Sequence, residues 1–205
     1  MPVVGREVVA VSSSRSGVMS TRRIAVLAYG SLIHQPGNEL DELVRARRPA
    51  RTPFRVEYGR VSERWGGGPV LVPHPAGANV NGVLLLLRDE VSLGEAVDVL
   101  ARREGTDPKH IVEAMLGPGV TALVADLPHN LDEREMAPRA LAARAIESVG
   151  AGSRNGVAYL RAALRSGVDT PLTLAYAREV CAAVGAGTLE QAEERLSPLV
   201  PSADY

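Results

Sequence analysis

Arg23-Ile24-Ala25-Val26-Leu27-Ala28-Tyr29 is a short, mostly apolar run of β type that stops on Gly30-Ser31, and the fold class follows from what surrounds it. Its lack of polar alternation reads as a buried strand delivering a turn. Further strands are expected over Phe54 to Val61, Pro69 to Val72, Val80 to Leu87 and Val120 to Leu127. Trp65-Gly66-Gly67-Gly68-Pro69 is too glycine-rich for regular structure and reads as a loop.

Helix signals gather later. Ser92-x-x-Glu95 forms a capping box, Leu93, Ala96, Val97 and Leu100 follow at helical spacing, and Gly105 can end the run, so Glu104 sits at a helix end. Asp107-Pro108 then predicts a second helix, with Ile111, Val112, Met115 and Leu116 facing inward up to Gly117-Pro118-Gly119. Helices are also expected over Pro138 to Val149, Gly156 to Leu164, Pro171 to Val184 and Thr188 to Leu196. Strands first and helices last predict an α+β fold rather than a doubly wound sheet. Residues 1–20 read as a flexible N-terminal tail, with Met19 as an alternative start, and 21–205 as one domain.

Composition excludes several function classes. A chain of 205 residues with 45% hydrophobic content can bury about 70% of its unfolded surface. The formal charge of −1 carries no basic block for a polyanion, and 3% aromatic content supplies no stacking platform for bases, so no nucleic acid partner is expected. The longest apolar run, Val83 to Leu87, falls far short of the roughly 20 residues a bilayer span needs, so no membrane partner is expected. The lone cysteine, Cys181, cannot close an internal disulfide, which fits a reducing cytoplasm. His34, His74, His110 and His129 are scattered, and neither a phosphate loop nor a nucleophile elbow follows a strand.

The chemistry therefore rests on Tyr29-Gly30-Ser31-Leu32-Ile33. Gly30 permits a turn closed to other residues, and successive N–H groups there can cradle a carboxylate, although the same stretch also reads as a simple turn. Glu104 reads either as a solvated partner of Arg102 and Arg103 or as a buried carboxyl raised in pKa by desolvation and the helix dipole. Tyr159 reads as a half-buried helix residue, and Asn155 as that helix's N-cap. Arg60, Arg64 and Trp65 border the glycine loop.

Leu27-Ala28-Tyr29-Gly30-Ser31-Leu32-Ile33 resembles the N-terminal Y-G-S-L signature of the γ-glutamylcyclotransferase-like families, which include the glutathione-specific ChaC-type enzymes. Gly82 to Leu87, followed by Leu100-Ala101-Arg102-Arg103-Glu104-Gly105, is similar to the family's strand and the helix leading to its glutamate. Gly152-Ser153-Arg154-Asn155-Gly156-Val157-Ala158-Tyr159-Leu160 is similar to the segment that opens its C-terminal helix. The order holds from about Arg23 to about Gly185.

The resemblance implies a mixed fold with a β-barrel-like sheet and surrounding helices. It implies release of 5-oxoproline from a γ-glutamyl compound, glutathione or another γ-glutamyl amide, without cofactor or metal. Glu104 would shuttle the proton, and Tyr29, Gly30, Ser31, Leu32, Ile33 and Tyr159 would bind the γ-glutamyl group. A non-catalytic binding module, or a γ-glutamyl hydrolase or transferase, are the rival readings. A monomer or a homodimer is expected.

Overall fold

The computed structural model describes residues 23–197 apart from 115, 117 and 118; the expectations for the tail, Met19 and Met115 lie outside the described residues. The chain is a mixed α+β protein. β1 (Arg23–Ala28) runs through the middle of a five-stranded sheet, with residues 25–28 fully buried. It pairs antiparallel with β5 (Asn81–Leu87), Leu27 opposite Leu84, and parallel with β7 (Val120–Ala125), Ala25 opposite Ala122. Apolar side chains thus face neighbours on both sides of the strand, which is why its sequence shows no alternation.

The outer strands depart from expectation. β2 (Val44–Arg51) lies on the far side of β5, and short helix α1 (Asn38–Leu43) leads into it. Neither carries an apolar period: β2 is mostly exposed and arginine-rich, with Pro49 at a position only an edge strand tolerates. On the other edge, the helix expected after Asp107-Pro108 is instead one 3-10 turn, Pro108–His110, followed by β6 (Ile111–Ala114) paired with β7. The cap itself forms, since the Asp107 carboxylate accepts the Lys109 N–H at 3.0 Å. The β-branched pair Ile111-Val112 then extends, because β7 offers an unpaired backbone edge that outweighs a weak local helix preference.

A separate two-stranded sheet, β3 (Val56–Ser62) with β4 (Gly68–Pro73), is not hydrogen-bonded to the first. The described residues therefore form no closed barrel, and the barrel-like sheet implied by the resemblance is corrected to two open sheets. An arginine-rich edge at β2 and a four-residue edge at β6 leave nothing suited to seal the larger sheet.

Helix α2 (Leu93–Glu104) covers the larger sheet, capped by the Ser92 hydroxyl accepting the Glu95 N–H. Ala96, Val99 and Leu100 face the core, whereas Leu93 in the first turn is 43% exposed. Helices α3 (Pro138–Glu147), α4 (Gly156–Arg165), α5 (Thr173–Ala183) and α6 (Leu189–Leu196) pack together, with α3 and α4 against β4. Among the described residues no helix is long and apolar enough to cross a membrane.

One buried charge ties the small sheet to these helices. Glu57 of β3, 1% exposed, accepts the Thr170 hydroxyl at 2.5 Å, the Tyr58 N–H at 3.0 Å and the Leu172 N–H at 3.3 Å. Burial raises its pKa, and these three donors oppose the rise. Glu57→Ala leaves the Tyr58 and Leu172 amides without this acceptor, while the Thr170 hydroxyl keeps the Thr173 hydroxyl at 2.8 Å, so a denaturant titration should show a loss of about 2–4 kcal/mol, with Glu57→Gln, which keeps one acceptor oxygen, costing less.

Candidate functional site

The site begins where β1 ends. Tyr29 is extended, and Gly30–Ile33 forms a 3-10 turn closed by the Gln35 N–H donating to the Ser31 carbonyl at 3.0 Å. Gly30 has φ 57°, and a Cβ there would lie 2.6 Å from the Tyr159 hydroxyl oxygen, so glycine is required both by the dihedral and by the contact. That hydroxyl, on α4, accepts the Leu71 N–H of β4 at 3.1 Å, and the Ser31 amide is also directed at it. With its lone pairs facing amide donors, the phenol keeps its own proton to donate elsewhere. The expected cradle of free amides is thus partly occupied by Tyr159.

Glu104 enters from α2. Gly105, at φ 65°, donates to the Arg102 carbonyl and Thr106 to the Ala101 carbonyl, a Schellman closure that fixes where the helix stops. The Glu104 side chain is 19% exposed and lies 3.3 Å from the Arg103 guanidinium. Burial raises its pKa, while Arg103 and Arg64 pull the other way. Both sequence readings of Glu104 hold in part: it is paired with arginine, yet it is mostly out of water. Arg103 also donates from Nε and Nη2 to the Gln35 carbonyl, at 2.9 and 2.6 Å, which ties the helix end to the loop behind the 3-10 turn.

These pieces share one cavity of about 560 Å³, whose wall includes Tyr29, Ser31, Leu32, Glu104 and Tyr159. Gly30 lies behind that wall under Tyr159, and Ile33 is not part of it. The phenols of Tyr29 and Tyr159 are pushed up in pKa by burial, and the charge of Glu104 adds to both shifts, so both remain protonated donors at neutral pH. The cavity thus combines a desolvated carboxyl with two neutral O–H groups.

Scarce aromatics are concentrated here. Tyr29 meets Phe54 edge-on, and Tyr159 meets both Tyr58 and Trp65 edge-on, with Tyr176 behind Tyr58. Every described Phe, Tyr and Trp belongs to this wall or its backing. Asn155 caps α4, its side-chain oxygen accepting the Ala158 N–H at 3.0 Å, as its position predicts. Cys181 is half-buried on α5 and burial raises its thiol pKa, which argues against a nucleophile.

Sequence reasoning missed two contributors. Arg103 was visible only as a neighbour of Glu104, and its bond to Gln35 had no local signal. Asn130, in a stretch that reads as an ordinary connection, lines the cavity and accepts the Val61 N–H at 2.9 Å. No three His, Cys, Asp or Glu side chains converge as a metal ligand set among the described residues. No family model matches the chain, and no curated protein is significantly similar to it.

The contact between Gly30 and Tyr159 should appear as thermodynamic coupling. Gly30→Ala is expected to cost more than about 2 kcal/mol, the left-handed dihedral alone accounting for 1–2. Tyr159→Phe removes the clashing oxygen, so in a double-mutant cycle by denaturant titration the pair should lose less than the sum of the singles.

Proposed function

We propose that the chain is a γ-glutamylcyclotransferase, releasing 5-oxoproline from a γ-glutamyl compound by attack of the substrate's own α-amine on its γ-carbonyl. The observation that carries this reading is the meeting of Glu104 with Tyr29, Ser31 and Tyr159 in one cavity, from three separate parts of the chain. The resemblance of those three segments to the family supports it further.

In this reading the Glu104 carboxylate takes a proton from the α-ammonium, freeing the nitrogen lone pair. A new C–N bond forms to the γ-carbon, and charge develops on the carbonyl oxygen, where a neutral tyrosine O–H or the turn's amides can donate. The old C–N bond then breaks as the Glu104 carboxylic acid gives its proton to the departing amine, and the regenerated carboxylate takes the extra proton from the ring nitrogen and passes it to that amine, which leaves as an ammonium. A raised pKa suits both halves of that exchange, because it brings the group nearer the working pH. Ring closure is intramolecular, so holding amine and carbonyl together supplies much of the acceleration. No cofactor is required by these steps.

The test is mass-spectrometric detection of 5-oxoproline from glutathione and a panel of γ-glutamyl amino acids and amines, for wild type and a folded Glu104→Gln. Loss of about a hundredfold or more in the variant is expected. Glutamate in place of 5-oxoproline identifies a hydrolase, and binding without turnover identifies a binding module; either outcome overturns the proposal.

The pH profile supplies a second check. Glu104 accepts a proton only when ionised, so kcat/KM should fall as pH drops through its raised pKa, above the ordinary carboxylate range. Arg103 holds that pKa down, so Arg103→Gln should move the acid limb to higher pH. A limb that stays in place or moves to lower pH excludes Glu104 as the base.

A further inference from the structure

A second recess, of about 70 Å³, adjoins the main cavity, and the two share Arg64, Trp65 and Arg103 in their walls. Gln35, Gly37 and Arg154 complete the recess. Its charged lining is three arginines and no carboxylate. Arg103 is already committed to the Gln35 carbonyl and to Glu104. Arg64 and Arg154 are exposed, and among the described residues neither has a carboxylate at ion-pair distance.

The fold holds these cations together against their repulsion. Gly66, at φ 62°, packs so tightly that a Cβ there would lie 2.7 Å from the Ala151 Cβ and 2.8 Å from the Ser148 carbonyl oxygen. The turn carrying Arg64 is thereby pressed onto the segment carrying Arg154. Asn155 pins that segment from its other end, donating to the Gly152 carbonyl at 3.0 Å while capping α4. Burial does most to lower the pKa of Arg103, Glu104 opposes it, and the like charges of Arg64 and Arg154 lower it further. An anion seated among them relieves that repulsion.

Position says which anion. Under the cyclisation reading, the departing nitrogen collects its proton from Glu104 and so leaves beside Arg103, 3.3 Å from that carboxyl. Whatever the nitrogen carries has the recess before it. We propose that the recess binds the carboxylate of the leaving group through Arg64 and Arg154, making the substrate a γ-glutamyl amino acid or peptide with a free carboxylate rather than a γ-glutamyl amine. This inference rests on the γ-glutamyl reading of the cavity, and its test separates the two.

Calorimetry on the full chain carrying Glu104→Gln, which blocks turnover, compares γ-glutamylglycine with its C-terminal amide. The acid should bind about tenfold tighter than the amide, and Arg154→Gln or Arg64→Gln in that background should reduce the preference to about threefold or less. Equal affinities, no binding of either at millimolar concentration, or a preference untouched by both substitutions overturns the recess. A conservative Arg154→Lys should retain part of the preference, which loss of folding would not allow. The same pair is then given to the wild-type protein. Preferential binding without 5-oxoproline keeps the recess as an anion site and overturns cyclisation, whereas equal 5-oxoproline from acid and amide overturns the recess and keeps cyclisation.

Discussion

Three elements that do not touch in sequence meet at one phenolic oxygen. The Tyr159 hydroxyl on α4 accepts the Leu71 N–H of β4 and fills the space over Gly30 that any other residue's Cβ would enter. The end of β1, the small sheet and the helical layer are therefore held in one arrangement by a contact that tolerates little error. A buried hydroxyl without its partner, or an amide without its acceptor, costs more than the bond itself returns, so the arrangement is specified as well as stabilised. The cavity is what remains between those elements once they are so fixed.

The cavity's electrostatics follow from its depth. A carboxyl brought out of water beside one guanidinium is pulled in two directions, and for Glu104 desolvation prevails over Arg103 and Arg64. The phenols around it are driven the same way, toward their neutral forms. At the rim, Arg64 and Arg154 retain contact with solvent. The cavity wall thus mixes apolar side chains with Ser31, Glu63, Glu104, Thr106 and Asn130, and arginines line its margin.

Much of the fold was legible wherever the determining interactions are local. The Ser92 cap and the Gly105 stop of α2, the Asn155 cap of α4 and the unbroken apolar run of β1 are settled within a turn or two of chain, and each stands where its residues say. The failures lie at the sheet edges. β2 has no apolar face to announce it, and β6 exists because β7 offers a free backbone edge to Ile111-Val112, which no reading of residues 107–116 alone contains.

The candidate site divides along the same line. The sequence by itself determined a left-handed-capable glycine at the end of a buried strand, a glutamate at a helix terminus and a tyrosine one turn into a later helix, because glycine's freedom, capping and periodicity are properties of short segments. Only the resemblance of three motifs suggested a common role for them. Tertiary structure alone decided that Glu104 is desolvated yet paired, that Ile33 stays out of the cavity, and that Arg103 reaches back to Gln35. It also decided that Arg64 and Arg154 share a recess. Burial and long-range charge depend on which surfaces pack together, and that is a property of the folded chain as a whole.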